Sequence, residues 1–133
     1  MPILNLRVAP LQNPDRYQSL ARELTALSAR VLRKRADVTA VVIEDLPAAR
    51  WYVGGQDVQQ PTAQLEISIT AGTNNEAEKA AFVQAAFEDL QRQLGHGGAL
   101  EPASYVIVRE LPAGDWGYGG QTQQARRTAR TAA

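Results

Sequence analysis

The sequence of 133 residues predicts an α+β fold of two layers, in which duplicated β-α-β units build a four-stranded sheet with two helices on one face. Three observations predict it. The end of each half is repeated, apolar residues alternate along the predicted strands, and a capped amphipathic stretch separates the two strands of each half. We expect one domain over residues 1–124, with repeat 1 at 1–60 and repeat 2 at 61–124, followed by a flexible basic tail at 125–133.

The repeat is clearest where each unit ends. The segment LPAARWYVGGQ at 46–56 corresponds to LPAGDWGYGGQ at 111–121, so that Leu-Pro-Ala, Trp and Gly-Gly-Gln recur at one constant spacing. Such agreement is improbable by chance and indicates a duplicated architecture. The glycine pairs are predicted to be turns, because no Lys-Ser/Thr and no helix follows them as a phosphate-binding loop would require.

The first unit contains a strand, a helix and a second strand. From Pro2 to Val8 apolar and polar residues alternate, which is typical of a half-buried strand. Asn13 then caps a helix that has Pro14 at its first position. The second strand is predicted at 39–46. The apolar stripe of the helix consists of Tyr17, Leu20, Leu24, Leu27, Val31 and Leu32.

The second unit follows the same order. Alternation around Leu65, Ile67 and Ile69 predicts its first strand, and Asn75 with Glu78 predicts a capping box at the start of its helix. Its last strand is predicted at 104–111, and a linker at 56–62 joins the units. The helix stripe consists of Val83, Ala86, Phe87, Leu90 and Leu94.

A helical crossover of this length joins parallel strands, so both helices are expected to cover one face of the sheet. The opposite face is too polar for a dry core, and a single open sheet would leave its edges exposed. We therefore expect several chains to assemble with their sheets around a polar interior. The polar side chains of this face are Asn5, Arg7, Glu44, Glu66, Ser68, Tyr105 and Arg109, with Val42 and Ile107 among them.

The composition excludes several classes of function. Acidic and basic residues balance at 14 each, which disfavours a nucleic-acid partner, and the absence of cysteine excludes disulfides and thiolate catalysis. One histidine without clustered carboxylates predicts no metal site, and no cofactor is expected. No apolar stretch has the length of a membrane span, so we expect a cytoplasmic protein with no membrane partner.

Pro2 is the principal candidate for catalysis. Removal of Met1 would leave a proline secondary amine at the N-terminus, a base and nucleophile that no side chain offers. A general base works best when its pKa lies near the operating pH. An α-amine already titrates below lysine, and an apolar wall would lower its pKa further by penalising the cation. Ile3, Trp51 and Trp116 could supply that wall.

A β-α-β unit that starts with Pro after Met and ends in an aromatic residue followed by Gly-Gly resembles the tautomerase superfamily, and the 4-oxalocrotonate tautomerase group in particular. The resemblance covers Pro2 to about Gly120. It implies a homotrimer of two-unit chains that acts on a small carboxylate or carbonyl substrate. The N-terminal proline would act as general base for keto-enol proton transfer on a small 2-oxo or enol carboxylate. Only Pro2 matches that proline, since the second unit begins inside the chain near Ala63.

The chain departs from the family where substrate carboxylates are bound. The resemblance implies one arginine at the first strand–helix turn, where the two units have Gln12 and Thr73, and another in the second strand, where they have Ala40 and Tyr105. Trp51 and Trp116 take the place of a family phenylalanine, and they could equally be core or interface anchors. The candidate substrate-binding residues are Arg109, Tyr105, Arg7, Trp51 and Trp116, with Arg50 a weaker candidate donor.

Three alternatives stay open at this point. Arg109 could form an ion pair with Glu44 instead of binding substrate, and Tyr105 could simply fill the interior. Pro2 could act as a general acid, as in related dehalogenases, hydratases and decarboxylases. Loss of both arginines also fits a non-catalytic member of the family that binds a ligand or serves as a scaffold.

Overall fold

The computed structural model describes residues 2–132. Four strands form one sheet, one long helix connects the two strands of each unit, and two small hairpins and a third helix complete the chain. The elements are β1 Ile3–Ala9, α1 Pro14–Leu32, β2 Ala40–Asp45, β3 Tyr52–Val53, β4 Gln56–Asp57, β5 Thr62–Thr70, α2 Glu76–Leu94, β6 Tyr105–Leu111, β7 Gly117–Tyr118, β8 Gln121–Thr122 and α3 Gln123–Ala132, with short 3-10 turns at Ala36–Val38 and Ala48–Arg50.

The sheet has the order β2-β1-β5-β6. Strands within each unit are parallel, which confirms the predicted crossovers, and the two units join through the antiparallel pair β1 and β5. The start of β1 therefore lies at the same end of the sheet as the ends of β5 and β6. The strands that begin and end the row, β2 and β6, are edges.

The sheet has one dry face and one wet face. The dry face packs against α1 and α2 and contains fully buried side chains from the two central strands. The wet face carries the predicted polar residues, and its two apolar members differ in burial: Val42 is 52% exposed and Ile107 is half-buried. The buried core cluster comprises Leu4, Leu6, Val8, Leu20, Leu24, Leu27, Leu32, Ala63, Leu65, Ile67, Ile69, Phe82, Ala86, Leu90, Leu94 and Leu100.

The stripe predicted for α2 is only partly correct. Phe82, which the stripe omits, is completely buried, whereas Val83 is 39% exposed and Phe87 only packs against the edge of the core. The buried positions of α2 therefore begin one residue earlier than predicted. The residues next to Phe82 and Val83 are small or polar, so the apolar period of the sequence does not determine which of these two side chains faces the sheet.

Each unit ends in a two-residue hairpin, as the glycine pairs predicted. Gly54 and Gly55 have φ of +61° and +79°, and Gly119 and Gly120 have +61° and +81°. Residues with side chains rarely adopt this conformation, which explains why both units use glycine there. The hairpin places β4 at Gln56–Asp57, inside the segment predicted to be a linker.

The segment predicted to be a flexible basic tail at 125–133 is helical over most of its length. Residues Gln123–Ala132 form α3, which begins directly after the second hairpin. The Arg126 guanidinium lies 3.8 Å from the centre of the Tyr118 ring and donates a hydrogen bond of 2.8 Å to the Tyr118 carbonyl oxygen. These contacts hold a helix that sequence composition alone would leave unfolded.

The two long helices have caps of unequal quality, and this predicts unequal effects on stability. In α2, the Asn75 side chain accepts from the Glu78 backbone at 2.8 Å, and the Glu78 carboxylate accepts from the Asn75 backbone at 2.9 Å, which confirms the capping box. In α1, Asn13 makes only a 3.3 Å contact with the Asp15 backbone. We expect Asn75→Ala to lower the free energy of unfolding by about 1 kcal/mol and Asn13→Ala to lower it by less.

Chemical denaturation of both variants at one protein concentration tests this, because assembly would make the midpoint depend on concentration. A larger loss for Asn13→Ala than for Asn75→Ala would contradict the cap geometry described above.

Candidate functional site

Pro2 lies at the start of β1 and is buried. Its carbonyl oxygen accepts a hydrogen bond of 3.2 Å from the backbone of Ala40, which fixes it against the start of β2. Ile3, the next residue, pairs with Ala40 on one side and with Ser68 on the other. Pro2 therefore sits between two strands. The predicted removal of Met1 concerns a residue outside the described part of the chain.

Two of the predicted substrate-binding residues lie at the same end of the sheet as Pro2. Arg109 pairs with Ser68, and thus stands in the row of residues that contains Ile3. Trp116 lies in the loop after β6, which ends beside the end of β5. The Trp116 indole Nε1 is buried and has no hydrogen-bond partner within the described residues. It is a free donor at this end of the molecule.

The other three predicted residues lie at the opposite end. Arg7 and Tyr105 both pair with Gln64. Among the rows of paired residues on the wet face, this row is the farthest from Pro2. Trp51 follows β2 and lines a cavity of about 270 Å³, together with Arg7, Leu46, Arg50, Tyr52 and Gln64. Within one protomer, then, the six predicted residues form two groups instead of one site. Arg7, Tyr105 and Trp51 could reach a Pro2 only in another chain of an assembly.

The ion pairs on the wet face differ from the pairing considered above. Arg109 pairs with Glu66 at 2.9 Å, and Glu44 pairs with Arg7 at 2.9 Å, so that an Arg109–Glu44 pair does not form within the protomer. The strand order explains this, because β2 and β6 are opposite edges of the sheet and too far apart. Both arginine side chains are more than half exposed, so each pair contributes little stability.

The two positions that replace the first family arginine have different surroundings. Gln12 donates through its side chain to the Pro10 carbonyl at 2.6 Å and through its backbone to Asp45 at 3.4 Å. Thr73 lies after β5, at the Pro2 end of the sheet, and its hydroxyl accepts a hydrogen bond of 2.9 Å from Lys34 Nζ. Lys34 is thus a charged residue at the Pro2 end of the sheet that the sequence analysis missed.

The signal for Lys34 was weak in the sequence, because a basic run at a helix end is ordinarily explained by the helix dipole. In the structure Lys34 is half-buried and lines a cavity of about 330 Å³ between α1, the turn after β5 and α3. Burial lowers the pKa of Lys34, and the neighbouring Arg33 lowers it further, while Glu78 and Glu110 act in the opposite direction.

Each unit also uses a carboxylate to hold its strand–helix turn. Glu110 accepts from the Gly72 backbone at 3.3 Å and from Lys79 at 2.7 Å, and these bonds lower the pKa of Glu110. In the first unit Asp45 has the corresponding place, where it accepts from Gln12 and from the Tyr17 hydroxyl and raises the pKa of Tyr17. Both carboxylates therefore stabilise a strand–helix turn through their hydrogen bonds.

Among residues 2–132, no group of three or more His, Cys, Asp or Glu side chains is arranged to hold a metal ion. In the same part of the chain, no helix has the length and apolar character needed to cross a membrane.

Comparisons with known proteins agree with this architecture. Residues 2–60, which coincide with the first unit, match the family model described as Tautomerase enzyme. A search of curated proteins finds no match to the sequence.

Solved structures match nearly the whole chain. A fused 4-oxalocrotonate tautomerase described as a symmetric trimer is 21% identical with a TM-score of 0.80, covering 93% of this chain and 98% of its own. Another, described as an asymmetric trimer, is 24% identical with a TM-score of 0.79 and the same coverage. A member of the cis-3-chloroacrylic acid dehalogenase family is 18% identical with a TM-score of 0.79, covering 98% of this chain and 90% of its own. At these identities the likeness establishes the fold.

Proposed function

We propose that this chain, a member of the tautomerase superfamily with two fused units, is an isomerase that uses the amine of Pro2 as a general base. Its substrate would be a small 2-oxo or enol carboxylate. The observation that carries the proposal is the position of Pro2, buried at the start of a central strand and bonded to Ala40. A catalytic amine needs such a fixed and partly dry position to titrate near neutrality.

In the proposed reaction Pro2 takes the hydroxyl proton of an enol, or the proton of the carbon next to a carbonyl, and returns a proton to the other atom. The carbonyl oxygen gains negative charge as the proton leaves, so a donor must lie beside it. Arg109 and the free indole N–H of Trp116 are the candidate donors at the Pro2 end of the same protomer. Tyr105, Arg7 and Trp51 are candidates only from a neighbouring chain.

We further propose that the chain forms a homotrimer. The two edge strands and the wet face of the sheet leave backbone groups and apolar side chains unpaired in one protomer, among them Tyr105, which is 65% exposed. Two similar structures are trimers of fused 4-oxalocrotonate tautomerases. A trimer would also bring the group around Arg7 from one chain towards Pro2 of another.

A second candidate function has Pro2 as a general acid, in a dehalogenase, hydratase or decarboxylase. The similarity in fold to a member of the cis-3-chloroacrylic acid dehalogenase family supports this second function. The two functions require different protonation states of Pro2 at neutral pH. A base needs an amine whose pKa lies near neutrality, whereas an acid needs one whose pKa lies well above it.

The proposal is tested by intact mass, by titration of the Pro2 nitrogen and by a ketonisation assay. We expect the mass to lack Met1, the ¹⁵N signal of Pro2 to titrate near neutrality, and phenylenolpyruvate to be ketonised. A titration well above neutrality would favour the general acid. Retention of Met1 would make Pro2 an amide without a basic nitrogen, and would leave only the non-catalytic alternative.

A further inference from the structure

Lys34 occupies a particular place relative to the start of β1. It lies between α1 and β2, and its Nζ reaches the hydroxyl of Thr73 at 2.9 Å in the turn after β5. Because β1 lies between β2 and β5, the bond between Lys34 and Thr73 connects the chain segments on both sides of Pro2. The Thr73 hydroxyl is held in turn by the carbonyl of Thr70 at 2.6 Å.

The charge of Lys34 has no carboxylate partner within the described residues. Three other cations nearby are neutralised: Arg33 pairs with Glu78, Arg35 pairs with Asp37 at 2.6 Å, and Lys79 pairs with Glu110 at 2.7 Å. Arg130, which lines the same cavity, is in no ion pair among the described residues, but it is exposed. Lys34 donates only to a neutral hydroxyl. A half-buried ammonium that is in no ion pair among the described residues, at the wall of an open cavity, can accept an anion from solution without first breaking an ion pair.

The other unit has no equivalent group. The segment before β6, residues 95–104, contains neither lysine nor arginine, although it occupies the same place relative to the start of β5. There the Ser104 hydroxyl accepts a hydrogen bond of 3.0 Å from the backbone of Ala63, the residue that corresponds to Pro2. The lysine is thus present in the unit that begins with the proline and has no lysine or arginine counterpart in the unit that begins at Ala63.

We propose that Lys34, positioned by Thr73, is the residue that binds the substrate carboxylate at the Pro2 site and disfavours protonation of the Pro2 amine. This inference rests on the proposed function, since it assumes a free amine at Pro2. In this proposal Lys34 replaces the arginine that the resemblance implies at the position of Thr73. Lys34 lies between α1 and β2, outside the strand–helix turn and the strand in which the resemblance implies the two arginines.

The chemistry requires no additional reactant. A cation close to the Pro2 amine makes a second positive charge unfavourable, which lowers the pKa of the amine and keeps it available as a base. The same ammonium forms a charge-assisted hydrogen bond with a carboxylate, which places the enol or ketone next to the amine. The two effects have separate readouts, the pKa of Pro2 in the free enzyme and the KM for a carboxylate substrate.

The test compares Lys34→Met, Lys34→Arg and Arg130→Met with the unmodified chain. Arg130 is the matched control, because it is another cation that lines the same cavity and is in no ion pair among the described residues, but it is exposed and, within those residues, forms no hydrogen bond with Thr73. We expect Lys34→Met to raise the Pro2 pKa by about one unit in a ¹⁵N titration. It should also raise the KM for phenylenolpyruvate about tenfold with a smaller change in kcat.

Lys34→Arg should restore both values towards those of the unmodified chain, and Arg130→Met should leave them nearly unchanged. An unaltered Pro2 pKa and KM in Lys34→Met would overturn the inference while leaving the proposed function intact. Equal shifts in Lys34→Met and Arg130→Met would also overturn it, since the effect would then belong to the cavity as a whole. If no Pro2 amine titrates at all because Met1 is retained, the proposed function fails, and the inference fails with it.

Circular dichroism of each variant establishes that it folds, and Lys34→Gln provides a second neutral variant that keeps a hydrogen-bond donor to Thr73. If Lys34→Gln raises the Pro2 pKa as Lys34→Met does, the effect is that of the charge. If it leaves the pKa unchanged, the effect in Lys34→Met is one of packing, and the electrostatic role is overturned.

Discussion

Pro2→Ala is expected to lower kcat/KM for phenylenolpyruvate ketonisation by about 10²- to 10⁴-fold, the usual contribution of a positioned acid or base. The variant keeps a small second residue, so the initiator should still be removed, but it replaces a rigid secondary amine with a mobile primary one. The buried position at the start of β1 tolerates alanine, so the fold should persist. Steady-state kinetics with confirmation of the N-terminus by mass provide the measurement.

Pro61→Ala is the matched control. Pro61 precedes β5 in the second unit, where the strand occupies the place that β1 has in the first, but its nitrogen is an internal amide. Its carbonyl accepts from the Glu101 backbone at 2.8 Å, a bond that alanine also forms. The control should therefore retain nearly full activity. Equal activity of Pro2→Ala and the unmodified chain would show that the reaction does not depend on the secondary amine of proline.

The pH dependence separates the two roles proposed for Pro2. If Pro2 is a base, only the neutral amine is active, and kcat/KM rises with pH through the pKa of the amine and then levels off. If Pro2 is an acid, only the cation is active, and kcat/KM falls with pH through that pKa. In Pro2→Ala the part of the pH profile that reports the N-terminal amine should move, because an alanine amine titrates at a different pH.

Much of the fold follows from local signals that tertiary contacts did not override. The repeated glycine pairs require positive φ, and they form the two hairpins. Asn75 with Glu78 specifies the start of α2 within the chain itself. The antiparallel junction of β1 and β5 could not be read in the same way, because nothing in the alternation of either strand specifies which strand of the other unit it will pair with.

The candidate site was harder to predict for a related reason. A residue on a strand can be assigned to a face by alternation, which placed Arg109 and Tyr105 correctly on the wet face, but alternation does not give the distance along the sheet. The register puts Arg109 in the row next to Pro2 and Tyr105 at the other end. Lys34 was missed because its significance depends on Thr73, a residue remote in sequence that only the topology brings near.

Val42→Glu is expected to convert the proposed trimer to single chains, and this is the largest effect expected on assembly. Val42 lies midway along the edge strand β2, on the wet face, and 52% of it is exposed in one protomer. A carboxylate there would be added next to Glu44 on the same face of the strand, and any interface that covers the position would have to bury an unpaired charge. Light scattering coupled to gel filtration measures the change in mass.

Val83→Glu introduces the same chemical change on the opposite side of the molecule, where Val83 lies on the outer surface of α2 and is 39% exposed. It should leave both the trimer and the activity in place. If Val42→Glu dissociates the chains and Val83→Glu does not, loss of activity in Val42→Glu would mean that Pro2 needs groups from a second chain, as the separation of Arg7, Trp51 and Tyr105 from Pro2 suggests. A dissociated variant that keeps full activity would instead place the whole site within one protomer, with Lys34, Arg109 and Trp116 as the candidate partners for Pro2. An intact trimer in Val42→Glu would remove the wet face from the interface.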